Sequence, residues 1–131
     1  MQKIKTMENQ IANIWTHLKG SKQDKAVAIC QRLNLQYARL PRAEYKKNGM
    51  EKQGDTDGYV VRTRAIKDEF DLFTLFHEIG HTQLHWNGQD DPVEFIHDTE
   101  RIESEANNFS ADVMRLIFGS KIENTIRVCM I

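Results

Sequence analysis

His77, Glu78 and His81, in the run His77-Glu78-Ile79-Gly80-His81, form an HExxH pattern. On a helix, positions four apart differ by about 40° of rotation and roughly 6 Å of rise. Two imidazoles at that spacing can grip one metal ion from one helix face. Glu78, beside them, is placed to polarise a metal-bound water without being a ligand. Zinc suits this mixture of imidazole and carboxylate, with one coordination position left open for the water. A shuffled chain with the same five His and ten Glu contains the pattern about once in seventy trials. Its weight therefore depends on what surrounds it.

A catalytic zinc normally takes a third protein ligand. Downstream stand His85, His97, Asp98, Glu100, Glu103 and Glu105. His85 continues the face of His77 and His81 but lies about 12 Å along the axis from His77, which makes it a rim or supporting residue. If 98–118 is a helix with Ile102 at zero, its apolar stripe centres near about 10°, Glu105 near about −60° and Glu103 near about +100°. Phase alone does not choose between the two. Their neighbours favour Glu103, because Ala106 permits close helix approach and Asn107 can hold a ligand from behind.

The elements that must position these residues can be read from periodicity. Ile4, Met7, Ile11, Ile14 and Leu18 make one helical face that Gly20 ends. Ser21 with Asp24 resembles a helix-starting cap, and Ala26, Val27, Cys30 and Leu33 point inward, giving a helical hairpin over 1–34. From 35 to 64 a small sheet is expected, with strands at Leu35–Leu40 and Tyr59–Val61. Gly54-Asp55-Thr56-Asp57-Gly58 reads as a turn, and Lys46-Lys47-Asn48-Gly49 as a mobile connection or hairpin tip. The motif helix spans 68–87 and stops near Gly88. Asp98 or Thr99 starts the last long helix, striped by Ile102, Ala106, Phe109, Val113 and Leu116 or Ile117. Ile126, Val128 and Met130 alternate as a terminal strand would.

Composition sets the limits. The 131 residues fit one domain, with 40% hydrophobic and 28% charged residues. A net charge of −1 argues against a broad nucleic-acid footprint. The longest stretch without a charged residue, from Ile79 to Gln89, is too short for a membrane span. No apolar core follows the first ten residues, so no secretory signal is expected. Cys30 and Cys129 read as free thiols of a reducing cytoplasm.

Phe73-Thr74-Leu75-Phe76-His77-Glu78-Ile79-Gly80-His81, Leu84-His85 and Glu103-Ser104-Glu105-Ala106-Asn107-Asn108-Phe109-Ser110-Ala111 resemble the ImmA/IrrE family of zinc metallopeptidases. Members of that family show an FTLAHELGH-like segment and a later ExxANxFA segment. The chain departs from the pattern at Ser110, where Ala is usual, and at Val113-Met114-Arg115-Leu116, which replaces a Leu-Leu-Met-Pro-like ending. The resemblance implies a single compact α+β domain of the zincin type: hairpin, small sheet, active-site helix and C-terminal ligand helix. It implies Zn2+ held by His77, His81 and Glu103, with Glu105 the fallback ligand, and Glu78 as general base of a metalloendopeptidase.

The resemblance further implies a cytoplasmic enzyme encoded by bacteria, phages or mobile elements. Its substrate would be a regulatory protein such as a DNA-binding repressor or an antitoxin, without direct contact to nucleic acid or membrane. For the oxyanion donor His85, His97 and Tyr59 all stay open, and Asn107 is a supporting residue. The strand around Tyr59–Arg62 would either pair with substrate or lie inside the sheet. Two other functions fit the same motifs: a non-catalytic zinc-binding interaction module, and a toxin or anti-host factor of the same fold.

Overall fold

The first apolar stripe folds as helix α1 (Lys3–His17), which buries Ile11 and Trp15. Trp15 meets Phe76 edge-on, ring centroids 5.2 Å apart, which anchors α1 on the centre of the molecule. The structure, a computed structural model, describes residues 3–41, 46–47, 50–51, 53–86, 88–89, 93 and 98–130.

Gly20 takes φ +108°, which suits glycine alone, and reverses the chain into α2 (Lys22–Arg32). Ser21 and Asp24 form a complete capping box. The Asp24 amide donates to Ser21 Oγ at 3.0 Å and the Ser21 amide to Asp24 Oδ2 at 3.3 Å. Ala26, Ile29 and Cys30 are buried, whereas Val27, expected inward, is exposed. Val27 lies about 100° around the helix from Ala26, off the i, i+3, i+4 face that packs.

Strand β1 (Gln36–Arg39) follows, then the short pair β2 (Lys46–Lys47) and β3 (Met50–Glu51), then β4 (Gly54–Asp57) and β5 (Val60–Thr63). β2 and β3 pair antiparallel, so a hairpin does form there; its Asn48 and Gly49 fall outside the described residues. The main sheet has the order β1-β5-β4, with β1 parallel and β4 antiparallel to β5. The stretch expected as a turn, 54–58, is thus mostly strand. Its two acidic residues face Arg62 across the ladder, 2.9 Å from Asp55 and 3.5 Å from Asp57, which neutralises charge that would otherwise disfavour pairing. Only Gly58, at φ +62°, keeps the turn character. β5 is interior, so of the two roles open to Tyr59–Arg62 the sheet-interior one is realised.

Helix α3 (Glu69–Leu84) runs through the middle and buries Leu72, Phe73, Leu75, Phe76, Ile79 and Gly80, a distribution around much of its circumference. An unanticipated Asp68/Asp71 capping box starts it. It ends three residues before the expected boundary, where the Trp86 amide bonds five residues back to the His81 carbonyl, which already holds the last regular bond from His85. Gly88, at φ +89°, lies beyond the helix and does not cap it.

Helix α4 (Thr99–Phe118) packs against α3 with its predicted stripe. A Cβ on Gly80 would stand 3.0 Å from Phe109 Cδ1, so the two helices touch as closely as glycine permits. Ser110 Oγ donates to the Phe73 carbonyl at 2.7 Å, which gives that departure from alanine a structural use. Asp98 precedes α4 in the left-handed region and makes no side-chain cap, contrary to expectation. Leu116 is exposed and Ile117 partly buried.

A 3-10 turn (Gly119–Ile122) leads to α5 (Glu123–Cys129) where a strand was expected. Ile122 and Ile126, four apart, are buried, while Val128 and Met130 stay exposed. The alternating pattern was a coincidence of a short run. Together the elements make an α+β fold in which α3 is held between the sheet, α2, α4 and α5, with α1 reaching it through Trp15 and Phe76. Among the described residues no helix is long and apolar enough to cross a membrane.

Both cysteines are free. Burial pushes the Cys30 thiol up to about 12, and burial followed by Asp68 raises that of half-buried Cys129. A thiol reagent at neutral pH is therefore expected to label Cys129 slowly and Cys30 only after unfolding. Prompt labelling of Cys30 in the native protein, followed by mass spectrometry, would contradict this packing.

Candidate metal centre

Four-residue spacing on α3 places His77 and His81 ring to ring, centroids 4.7 Å apart. Their Nε2 atoms are separated by 3.2 Å. From α4, Glu103 brings Oε2 to 2.7 Å from His77 Nε2 and 3.4 Å from His81 Nε2. Among the described residues this is the only group of three or more His, Cys, Asp and Glu side chains whose ligand atoms converge, all within 4.8 Å of one another.

The donor set can be tested against zinc. Bonds of about 2.0–2.1 Å in a tetrahedral array separate ligand atoms by about 3.3 Å. Two of the three observed spacings match, and the third is that of a charge-assisted hydrogen bond. Outer support is also present: His77 Nδ1 lies 2.8 Å from Asn107 Oδ1. An amide oxygen only accepts, so Nδ1 carries a proton whether or not the ring is charged, and Nε2 faces the cluster. The residues fit the ion.

Charge reinforces the arrangement. Burial lowers the pKa of His77, but Glu103 and then Glu78 outweigh it and the net shift is upward. The hydrogen bond with His77, and His81 beside it, hold the Glu103 carboxyl well below the ordinary carboxylate range, against burial. Glu103 stays half-exposed, and the two histidines lie deeper.

Glu78 is buried, and burial raises its pKa despite the opposing pull of His77, His81 and Thr56. The hydroxyl of Thr56, from β4, lies 2.5 Å from Glu78 Oε1 and 3.1 Å from the Glu78 carbonyl. Thr56 was missed because it sits in the run that reads as a turn. No local signal links it to a helix twenty-two residues on.

Beside the donors a cleft of about 580 Å³ opens, lined by Gly54, Glu78 and Asn107 and by the apolar surfaces of Phe70, Phe73 and Val128. The contribution of α5 to this wall was also not foreseen. Glu105 is directed elsewhere, with its Oε1 at 2.8 Å from His85 Nε2 and a pair of contacts from Arg101. His85 packs behind His81, their Nδ1 atoms 3.0 Å apart. Tyr59 lies against Trp86 at 6.2 Å and lines a different depression, away from the three donors. His97 lies outside the described residues.

No family model matches this chain, and no curated protein and no solved structure matches it either.

Proposed function

We propose that the chain is a zinc-dependent peptidase of the zincin type, with His77, His81 and Glu103 as ligands and Glu78 as general base. The observation that carries the reading is the convergence of these three ligand atoms next to a buried carboxylate on the wall of an open cleft. The two segments that resemble ImmA/IrrE peptidases support it.

When bound, zinc supplies Lewis acidity, acidifying a water molecule and polarising a carbonyl oxygen. Glu78 accepts the water's proton as its oxygen attacks the peptide carbonyl carbon, then delivers that proton to the leaving amine nitrogen. Thr56 holds one Glu78 oxygen and leaves the other to carry the proton. Glu103 neutralises part of the ion's charge, and Asn107 keeps the His77 ring aligned. An extended polypeptide would add along the outer edge of β4. That strand is one of the two edge strands of the main sheet, and its Gly54 lies on the cleft. A regulatory protein, such as a DNA-binding repressor or an antitoxin in the cytoplasm, is the substrate class that the resemblance supplies.

Elemental analysis of purified protein, paired with a cleavage assay on an unstructured protein, tests the reading. Stoichiometric zinc is expected, with cleavage abolished by a chelator and restored by adding zinc. Stoichiometric zinc without cleavage of any candidate regulator would favour a non-catalytic binding module. Absence of zinc would overturn both.

A further inference from the structure

Behind the ligand cluster, two side chains form a line with no part in the chemistry above. His81 Nδ1 is 3.0 Å from His85 Nδ1, and His85 Nε2 is 2.8 Å from Glu105 Oε1. Arg101 Nη1 holds both Glu105 oxygens at 3.1 Å. The His85 side chain is only 4% exposed, so water does not readily substitute for either partner.

A bond between two Nδ1 atoms requires one proton and one lone pair, so each ring must supply one of them. A carboxylate can only accept. Glu105 therefore draws the proton of a neutral His85 onto Nε2 and leaves Nδ1 as the lone pair. The proton between the rings then belongs to His81 Nδ1. That leaves His81 Nε2 unprotonated, at 3.2 Å from His77 Nε2 and 3.4 Å from Glu103 Oε2. The opposite arrangement would set a lone pair of His85 against the carboxylate at 2.8 Å and place a proton on His81 Nε2, where an ion must bind. Both arrangements share the same heavy-atom positions, and Glu105 at 2.8 Å from His85 Nε2 decides between them over Glu103, which stands 3.4 Å from His81 Nε2.

We propose that Glu105 and His85 are positioning residues that fix the tautomer of His81 and so keep its Nε2 open to a metal ion. The inference rests on the metal reading of the previous section. His77 obtains the same result from one bond to Asn107. His81 is more deeply buried, 3% exposed against 14%, and reaches its carboxylate through a second imidazole.

Nitrogen-15 long-range NMR of the imidazoles reports tautomers directly, and competition with a chelator reports zinc affinity. In the wild type, with and without zinc, His85 is expected to carry its proton on Nε2 and His81 on Nδ1. Glu105→Ala, at a half-exposed position, is expected to mix the His85 tautomers and weaken zinc binding about 10–100-fold. Glu105→Gln, whose amide oxygen still accepts, is expected to restore both readouts. A wild-type His85 protonated on Nδ1 would overturn the proposal. So would zinc affinity in Glu105→Ala within about twofold of wild type. A wild type that binds no zinc would overturn the metal reading itself, and this proposal with it.

Discussion

Glu78→Gln is expected to lower turnover by about 10²–10⁴-fold while the protein retains its zinc. The substitution preserves shape and removes only the capacity to take a proton. A glutamine oxygen can still accept the Thr56 hydroxyl that now sits 2.5 Å from Glu78 Oε1, so the side chain keeps its position. Stability should move the other way. Burial raises the pKa of Glu78, which means that the fold disfavours its charged form. For such an acid the penalty is absent below the unfolded pKa, grows as pH rises towards the folded pKa, and is complete above it. The metal-free variant should therefore be at least as stable as metal-free wild type at neutral pH, with the difference vanishing in acid. Loss of function with no loss of stability marks a group held for chemistry. Cleavage rate, zinc content and denaturant melts measure the three quantities; turnover within a few-fold of wild type would rule out Glu78 as the base.

Glu103→Ala is expected to weaken zinc binding by more than the roughly 10–100-fold of an outer-shell loss. Among the described residues Glu103 is the only carboxylate that reaches both His77 and His81, whereas Glu105 contacts His85 and Arg101. The two alanine variants should thus rank clearly, with Glu103→Ala the more severe. If Glu103→Ala kept full affinity while Glu105→Ala lost the ion, the ligand assignment would be wrong. Acid should act on the wild type in the same direction. The His77 pKa is raised above its ordinary value, so protons compete for Nε2 from a correspondingly higher pH, and affinity should fall as pH drops through that point. Removing Glu103 deletes a cause of that shift and should move the onset to lower pH. Chelator competition over a pH series provides the measurement.

What could be read from the sequence was local or strictly periodic. Spacing alone brings His77 and His81 together on α3, and the stripe Ile102, Ala106, Phe109 and Val113 fixes which face of α4 meets the core. The Ser21 and Asp24 cap was likewise complete within four residues. The choice between Glu103 and Glu105 was not local, since both flank the stripe at similar angles and the difference arises from where α3 lies against α4. β4 was hidden because Gly and Asp favour turns until a paired strand offers Arg62. Thr56 was lost with it. At the other end, a short run with apolar residues at every second position also contains an i, i+4 pair, and Ile122 with Ile126 decided for helix. The resemblance named His77, His81 and Glu103, whose ligand atoms converge, but not the wall that α5 adds to the cleft.

The contact of Gly80 with Phe109 makes the crossing of α3 and α4 a fulcrum. Glu103 lies six positions from Phe109 along α4, a lever arm of about 9 Å. A tilt of about 5° at the contact would swing the Glu103 backbone by roughly 0.8 Å, more than the roughly 0.5 Å tolerance of a working site. Because Gly80 sits next to His81 on the other arm, one ring in the core calibrates the gap between the candidate ligands His81 and Glu103 on two helices. Substitutions at Phe109 are then expected to alter the spacing of the three candidate donors, at a residue that is not one of them.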